Sequence, residues 1–130
     1  MKIVSSIAGG LLGFLFVAFG IAFFLNLLPS PPPPPEGSAP ALFMGAFAPT
    51  GYLAFVKFFE VLGGVLVAIP RTRNWGLLVL GPIIINILAF HAFIMKGEGL
   101  LNPVLIAIVL LALFLLWSGR RAFLGLLNSR

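Results

Sequence analysis

A lysine and a glutamate stand three residues apart inside an apolar stretch, in the segment KFFEVLGG at residues 57–64. Residues three apart on a helix project about 60° from each other, so Lys57 and Glu60 can form an ion pair. Ionisable side chains within a membrane helix are costly and usually face the bundle interior or a polar cavity. A charge-paired carboxylate beside a cavity also suits proton transfer. The pair is therefore the first candidate for a functional site.

Glycines lie close to this pair and also form a stripe in the first apolar segment. Gly63 and Gly64 follow Glu60 by about one helical turn and thin the helix there, which admits a neighbouring backbone or a ligand. In the first segment, small residues recur at four-residue steps and then a heptad further on, at Ser5, Gly9, Gly13 and Gly20. Such stripes let two helices approach closely, so these glycines are predicted to serve helix packing within the chain or against another subunit.

Two further polar residues occur in the segment GPIIINILAFH at residues 81–91. If this segment runs antiparallel to the one with the ion pair, residues equidistant from the turn near position 72 lie at similar depth. Asn86 then falls at a depth between Glu60 and Lys57, His91 lies nearer the outer surface, and Asn26 of the first segment is also near that surface. The sequence therefore predicts a polar ligand-binding pocket in the outer half of the membrane, formed by Lys57, Glu60, Asn86 and His91.

The alternative for the same residues is structural. Buried polar side chains often serve helix association alone, each contributing under about 2 kcal/mol. Lys57 can also extend towards the surface and leave Glu60 to pair with Asn86 or a serine. For His91 alone, a structural hydrogen bond near the interface is favoured over a role as a ligand.

Composition places the chain among integral membrane proteins. Of the 130 residues, 61% are hydrophobic and 8% are charged, with a mean hydropathy of +1.19; a soluble domain needs nearer a quarter charged to cover its surface. The absence of cysteine excludes disulfides, thiolate metal sites and CxxC redox chemistry. With a single histidine, multi-histidine sites are excluded too, and no metal site or catalytic residue is predicted.

The predicted fold is all-α: an integral membrane four-helix bundle in a single domain covering residues 1–130. A bilayer core takes about 20 apolar helical residues, and the four predicted spans are residues 7–28, 52–69, 75–95 and 103–118. The first is read as a span because it is longer than a usual signal-peptide core. A proline-rich outer loop covers residues 29–51 and contains a short interfacial helix with Ser38 as its N-cap, and an amphipathic tail covers residues 119–130.

The basic residues of the loops predict the orientation. One side of a four-span arrangement carries six of them, namely Lys2, Arg71, Arg73, Arg120, Arg121 and Arg130, whereas the other carries Lys96 with Glu36 and Glu98. Cytoplasmic loops are enriched in lysine and arginine, so both termini are expected in the cytoplasm. No basic patch is interleaved with aromatic residues, so nucleic acid is not an expected partner.

The middle of the chain resembles the DoxX family of small bacterial membrane proteins. The resemblance rests on KFFEVLGGVLVAIPRTR, with its Lys-x-x-Glu, glycine pair and basic turn, and on GPIIINILAFH in the following span. It implies a four-helix bundle of the bacterial inner membrane with both ends cytoplasmic, and an association with membrane redox systems, some of them quinone-linked. The proline run departs from the pattern, and without cysteines any redox work requires a partner or a bound quinone.

Two functional hypotheses follow. In the first, the outer-half pocket binds a quinone or a similar small ligand, and Glu60 relays a proton when the ligand is reduced. In the second, the chain is an accessory subunit without chemistry of its own, which packs against a larger membrane complex; a free monomer or a homo-oligomer counts against this role. The expected partners are the lipid bilayer and either a larger membrane protein complex or further copies of the chain. A transporter is less favoured at this size unless the protein oligomerises.

Overall fold

The computed structural model describes residues 2–28 and 32–127, and every regular element in these ranges is helical. The all-α prediction is therefore confirmed. Four long helices are present, and two shorter ones flank them. They are α1 (Lys2–Phe24), α2 (Ala39–Phe47), α3 (Tyr52–Ala68), α4 (Arg73–Ala89), α5 (Pro103–Ser118) and α6 (Arg120–Leu127). A 3-10 turn at Pro70–Thr72 joins α3 to α4, and a π-helical turn at Phe90–Ile94 extends α4.

Two of the described helices are long and apolar enough to cross a membrane by themselves. They are α1, with 23 residues, and the continuous stretch Pro70–Ile94, with 25 residues, each at a mean hydropathy of 2.4. The helices α2 and α3 form a pair bent by 78°, and α5 and α6 one bent by 68°; if each pair counts as one span, the number rises to four. On its own α3 has 17 residues, about 25 Å of helix against a hydrocarbon core of about 30 Å. The protein thus has two to four helices able to span a membrane.

Local signals set the ends of α1 and α2. Helix α1 stops at Phe24, where the sequence predicted a span to residue 28, because Asn26 adopts a left-handed φ of 57° and its N–H donates to the Phe23 carbonyl at 3.1 Å. Helix α2 starts after Ser38, whose hydroxyl oxygen accepts from the N–H of Ala41 at 3.4 Å. The short helix therefore lies where the sequence predicted it. Residues 29–31 of the proline-rich loop, and residues 128–130 of the tail with Arg130, lie outside the described ranges.

The reversal between α3 and α4 depends on side chains that replace missing backbone donors. Pro70 has no N–H, so the carbonyl of Leu66 four residues earlier loses its helical partner. The hydroxyl of Thr72 donates to that carbonyl at 2.8 Å, and Nε of Arg73 donates to the carbonyl of Val67 at 3.0 Å. These two bonds close the end of α3 and place α4 antiparallel beside it.

Glycines allow the three long helices α1, α3 and α4 to touch backbone to backbone. A Cβ added to Gly64 of α3 would lie 3.0 Å from the carbonyl oxygen of Gly13 in α1, and one added to Gly20 would collide with a valine side chain of α3. On its other side, α3 presents Gly63, where a Cβ would lie 2.7 Å from Leu80 of α4. The glycine stripe of α1 therefore packs within the chain. The buried apolar side chains around these contacts are Ala8, Leu12, Phe16, Val67, Leu77, Leu80, Ile84, Leu105, Ile108 and Leu115.

The long helices connect two chemically different ends of the molecule. The basic end carries Lys2, Arg71, Arg73, Arg120 and Arg121. The loop end carries α2, the described part of the proline-rich loop and residues 95–102. Aromatic contacts pack α2 against its neighbours at the loop end. Phe43 contacts Phe90 of the π-helical turn, and Phe47 contacts Tyr52 at the start of α3, each at 4.9 Å between ring centroids.

Candidate functional site

A cleft with a volume of about 330 Å³ opens among α1, α3, α4 and α5 near the loop end. Four polar side chains line it, from α3, the π-helical turn and the start of α5: Lys57, Glu60, His91 and Asn102. The rest of the wall is aliphatic and aromatic apart from Gly99, and consists of Leu15, Phe16, Phe19, Leu28, Ile87, Val104, Leu105 and Ile108. The cleft therefore combines an apolar wall with a few convergent polar groups, the usual composition of a small-molecule site.

Lys57 and Glu60 form the only ion pair in the described part of the chain. Nζ of Lys57 lies 3.4 Å from Oε1 of Glu60. Glu60 shares the buried face of α3 with Gly63 and Gly64, and its side chain is 7% exposed, whereas the Lys57 side chain is 21% exposed. The ammonium group also lies 5.9 Å from the centroid of the Phe23 ring, within range of a cation–π interaction. The lysine is thus held at the cleft by the carboxylate and the ring.

His91 reaches the same cleft from the π-helical turn, a structure that often occurs at functional sites. Its Nδ1 lies 3.0 Å from the backbone carbonyl oxygen of Glu98. A carbonyl can only accept, so this bond assigns the proton of the neutral ring to Nδ1 and leaves Nε2 as an acceptor. Gly99 makes the approach feasible, because it has a φ of 84° and a Cβ there would lie 2.8 Å from Nδ1.

Asn102 is a site residue that the sequence reasoning missed. Its Oδ1 accepts from the backbone N–H groups of Val104 at 2.8 Å and Leu105 at 3.4 Å, which makes it the N-cap of α5. The amide NH₂ remains as a donor at the edge of the cleft. An asparagine directly before a proline at the start of an apolar segment is an N-cap signal, and it could have identified the position.

Asn86 does not lie in this cleft. It is exposed on the outer surface of α4, whereas Ile84 is buried and Ile87 lines the cleft. Each helical residue turns by about 100°, so Asn86 points about 200° away from Ile84. Matching residues by depth predicts the position of Asn86 along the helix axis but not the side of α4 on which it lies. The expected contact with Glu60 is not formed. Asn26 is exposed as well and is not part of the cleft wall.

The chemistry of the cleft is that of complementary hydrogen bonding. Lys57 and the NH₂ of Asn102 donate, whereas the Glu60 carboxylate and Nε2 of His91 accept. Among the described residues there is no group of three His, Cys, Asp or Glu side chains that could hold a metal ion. The arrangement suits a small molecule with an apolar body and a polar head that carries oxygen atoms.

Comparison with curated proteins shows a match over part of the chain. The chain is 36% identical over 78 residues to a protein of Bacillus subtilis (strain 168) named Uncharacterized protein YwoB. The matched residues make up 60% of this chain and 49% of that relative, so the chain spans about half the length of the relative it matches. No family model matches the chain. No solved structure matches it either. The chain is therefore similar to YwoB over its matched part, and the DoxX-like resemblance stays a prediction.

Proposed function

We propose that the protein is a DoxX-like, four-span protein of the bacterial inner membrane that binds the polar head of a quinone-like molecule and acts as a component of a membrane redox system. The observation that carries this proposal is the cleft near the loop end, where Lys57, Glu60, His91 and Asn102 converge within an apolar wall. The chain itself is assigned no catalytic activity; a partner supplies or withdraws the electrons.

The proposed orientation places the basic end in the cytoplasm with both termini. Five described basic residues lie at that end and Lys96 at the other, the asymmetry expected from the positive-inside rule. Along α3, Lys57 and Glu60 lie roughly 8 Å and 12 Å from its first residue at the loop end. In a hydrocarbon core of about 30 Å, both charges then lie in the outer half of the bilayer.

The donors and acceptors suit both oxidation states of a quinone. The carbonyl oxygens of the oxidised form accept hydrogen bonds, which Lys57 and the Asn102 amide can donate. The hydroxyl groups of the reduced form donate, and Glu60 and Nε2 of His91 can accept from them. When a partner withdraws the electrons of the bound quinol, the Glu60 carboxylate beside Lys57 is the group placed to take up one of the two protons released; when a partner reduces the bound quinone, the protonated Glu60 can give that proton to it.

The direct test is binding of decylubiquinone and menaquinone-4 to the purified full chain in dodecyl maltoside, measured by isothermal titration calorimetry. Glu60→Gln keeps the size of the side chain and removes its charge, and we expect it to weaken binding by about tenfold or more, the loss typical of one charge-assisted hydrogen bond. Asn86→Ala is the matched control, because this residue is exposed outside the cleft; its affinity should stay within about twofold of the wild type. Equal binding by wild type and Glu60→Gln, or binding by neither, would sink the proposal.

A second candidate is a non-catalytic accessory subunit that packs against a larger membrane protein complex. It is favoured by an apolar groove of about 190 Å³ on the face shared by α4 and α5, lined by Leu77, Gly81, Ile84, Ile85, Leu88, Val109, Ala112, Leu113 and Leu116. A helix of another subunit fits such a groove as well as a lipid chain does. Purification in digitonin followed by native mass spectrometry separates the cases: a stoichiometric large partner supports the accessory role, and a free monomer or a homo-oligomer contradicts it.

A further inference from the structure

The basic end contains a second polar pocket, far from the cleft that the proposed function uses. Its volume is about 430 Å³, and it is lined by Lys2, Ser5, Ser6, Pro70, Arg73 and Ser118. These residues come from the starts of α1 and α4, the turn before α4 and the end of α5. The pocket therefore collects two cations and three hydroxyl groups from separate parts of the chain.

Arg73 is built into the wall of this pocket. Its Nε donates to the Val67 carbonyl at 3.0 Å, which fixes the guanidinium group against the end of α3. The group also lies against Gly9 of α1, where an added Cβ would be 2.8 Å from Cζ and 2.8 Å from Nη2. Nη2 is buried and is the one buried side-chain nitrogen or oxygen of the described residues without a hydrogen-bond partner. The arginine thus brings a positive charge to a fixed place in the wall of the pocket.

No carboxylate side chain is available to neutralise this charge. The chain has three acidic side chains, Glu36, Glu60 and Glu98. Glu60 pairs with Lys57, and the other two lie at the loop end. Arg73 is half-buried, and its guanidinium group has a carbonyl but no carboxylate as a partner. An anion that enters the pocket from outside the chain is therefore stabilised by this charge.

The serines of the pocket supply a neutral donor beside the two cations. The hydroxyl oxygens of Ser5 and Ser118 lie 2.8 Å apart and share one hydrogen bond. That bond uses one of the two hydroxyl protons, so the other can be donated to a ligand. Ser5 is buried at 9% exposure, and its bond to Ser118 joins α1 to the end of α5.

We propose that this pocket binds a phosphate group, with Arg73 and Lys2 as the charged donors and the Ser5–Ser118 pair as the hydroxyl donor. A guanidinium group matches phosphate oxygens in geometry, and an ammonium group adds a point charge. The pocket lies at the end of membrane-spanning helices, at the depth where anionic headgroups occur. The phosphate belongs either to an anionic phospholipid or to inorganic phosphate in solution.

The test measures both sources on the full chain in dodecyl maltoside. Native mass spectrometry follows binding of dioleoyl phosphatidylglycerol against dioleoyl phosphatidylcholine, and calorimetry follows inorganic phosphate. We expect Arg73→Gln to weaken binding by about tenfold or more, because a charge-assisted contact is lost. Arg71→Gln is the matched control: it removes the same charge two residues away, from an exposed side chain outside the pocket, and should change binding by less than about twofold.

Every outcome decides the proposal. Arg73-dependent binding of phosphatidylglycerol alone identifies a lipid headgroup site, and Arg73-dependent binding of inorganic phosphate identifies a site for the free anion. Loss of binding to the same extent in both arginine variants shows a general surface charge effect and overturns the proposal, as does the absence of binding for both probes. If Arg73→Gln does not fold, Lys2→Gln replaces it, with an expected loss of severalfold, and unchanged binding by that variant contradicts the proposal.

Discussion

Substitution of Glu60 by glutamine removes a charge from the Lys57–Glu60 pair while keeping the side-chain volume, and we expect it to destabilise the protein. The two charged groups are 3.4 Å apart. At that distance two unit charges attract by about 5 kcal/mol at an effective dielectric constant of about 20, and by about 1 kcal/mol in bulk water. Glu60 is 5% exposed, so the effective dielectric constant around its carboxylate is well below that of bulk water.

The expected magnitude follows from what the substitution leaves behind. Removing one partner of a buried pair typically costs about 3–5 kcal/mol, because the other charge loses its compensation. The Lys57 side chain is 21% exposed and can turn towards the loop end, which places the loss near the lower bound, about 3 kcal/mol. If the pair is replaced as a whole, in Lys57→Met/Glu60→Gln, no charge is stranded. The double variant should therefore lose less than the sum of the single variants, by about 2–3 kcal/mol.

The assay is unfolding in mixed micelles of dodecyl maltoside and sodium dodecyl sulfate, followed by the fluorescence of Trp75 and Trp117. The wild type, both single variants and the double variant form a complete cycle. Strictly additive losses would refute the reasoning, because they would show that the two side chains do not interact. The same four proteins separate stability from ligand binding. The double variant should be more stable than Glu60→Gln, but it should not bind the quinone probes.

Three further substitutions test other parts of the structure, each by the same unfolding assay. Gly13→Ala should be less stable than Gly10→Ala by about 1–3 kcal/mol, because its Cβ meets the α3 backbone while Gly10 has open space around it; equal stability would exclude close packing of α1 on α3. Asn102→Ala should lower the free energy of unfolding by about 1 kcal/mol through loss of the α5 N-cap. If Asn86→Ala, which removes no cap, lowers it by a comparable amount, loss of the cap is not the cause. Thr72→Val should lower the free energy of unfolding by about 1–3 kcal/mol, because it leaves the part-buried carbonyl of Leu66 unpaired, and Thr72→Ser, which keeps the hydroxyl, should retain most of the wild-type stability.

Several features of the fold and the cleft could be predicted from the sequence. Low charge and long apolar segments predict a membrane protein, because such a chain cannot cover a water-facing surface, and two to four of the described helices are long and apolar enough to span a membrane. Helix ends were readable where a residue has a strong local preference, as with Ser38 before α2 and Pro103 at the start of α5. The Lys57–Glu60 pair was predictable as well, since both residues belong to one helix and their spacing determines their separation.

The direction in which α4 presents its side chains was decided by the tertiary structure alone. In a soluble helix the polar residues mark the outer face, but the polar residues of α4 are too few to form a face, so no periodicity shows which side of the helix faces the bundle. Its orientation follows instead from the close approach of Gly76 to the backbone of α3. That contact turns Ile87 and His91 towards the cleft and Asn86 away from it.

The sequence by itself determined the apolar character of the chain, its all-helical class and the ion pair, because each depends on composition or on neighbours within a few residues. The tertiary structure decided which separate residues meet: His91 and Asn102 beside Lys57 and Glu60 at one end, and Arg73 against α1 at the other. The physical reason is that a helix lying in an apolar medium is free to rotate about its axis. Only the close contacts of its small residues with a neighbouring backbone fix that rotation.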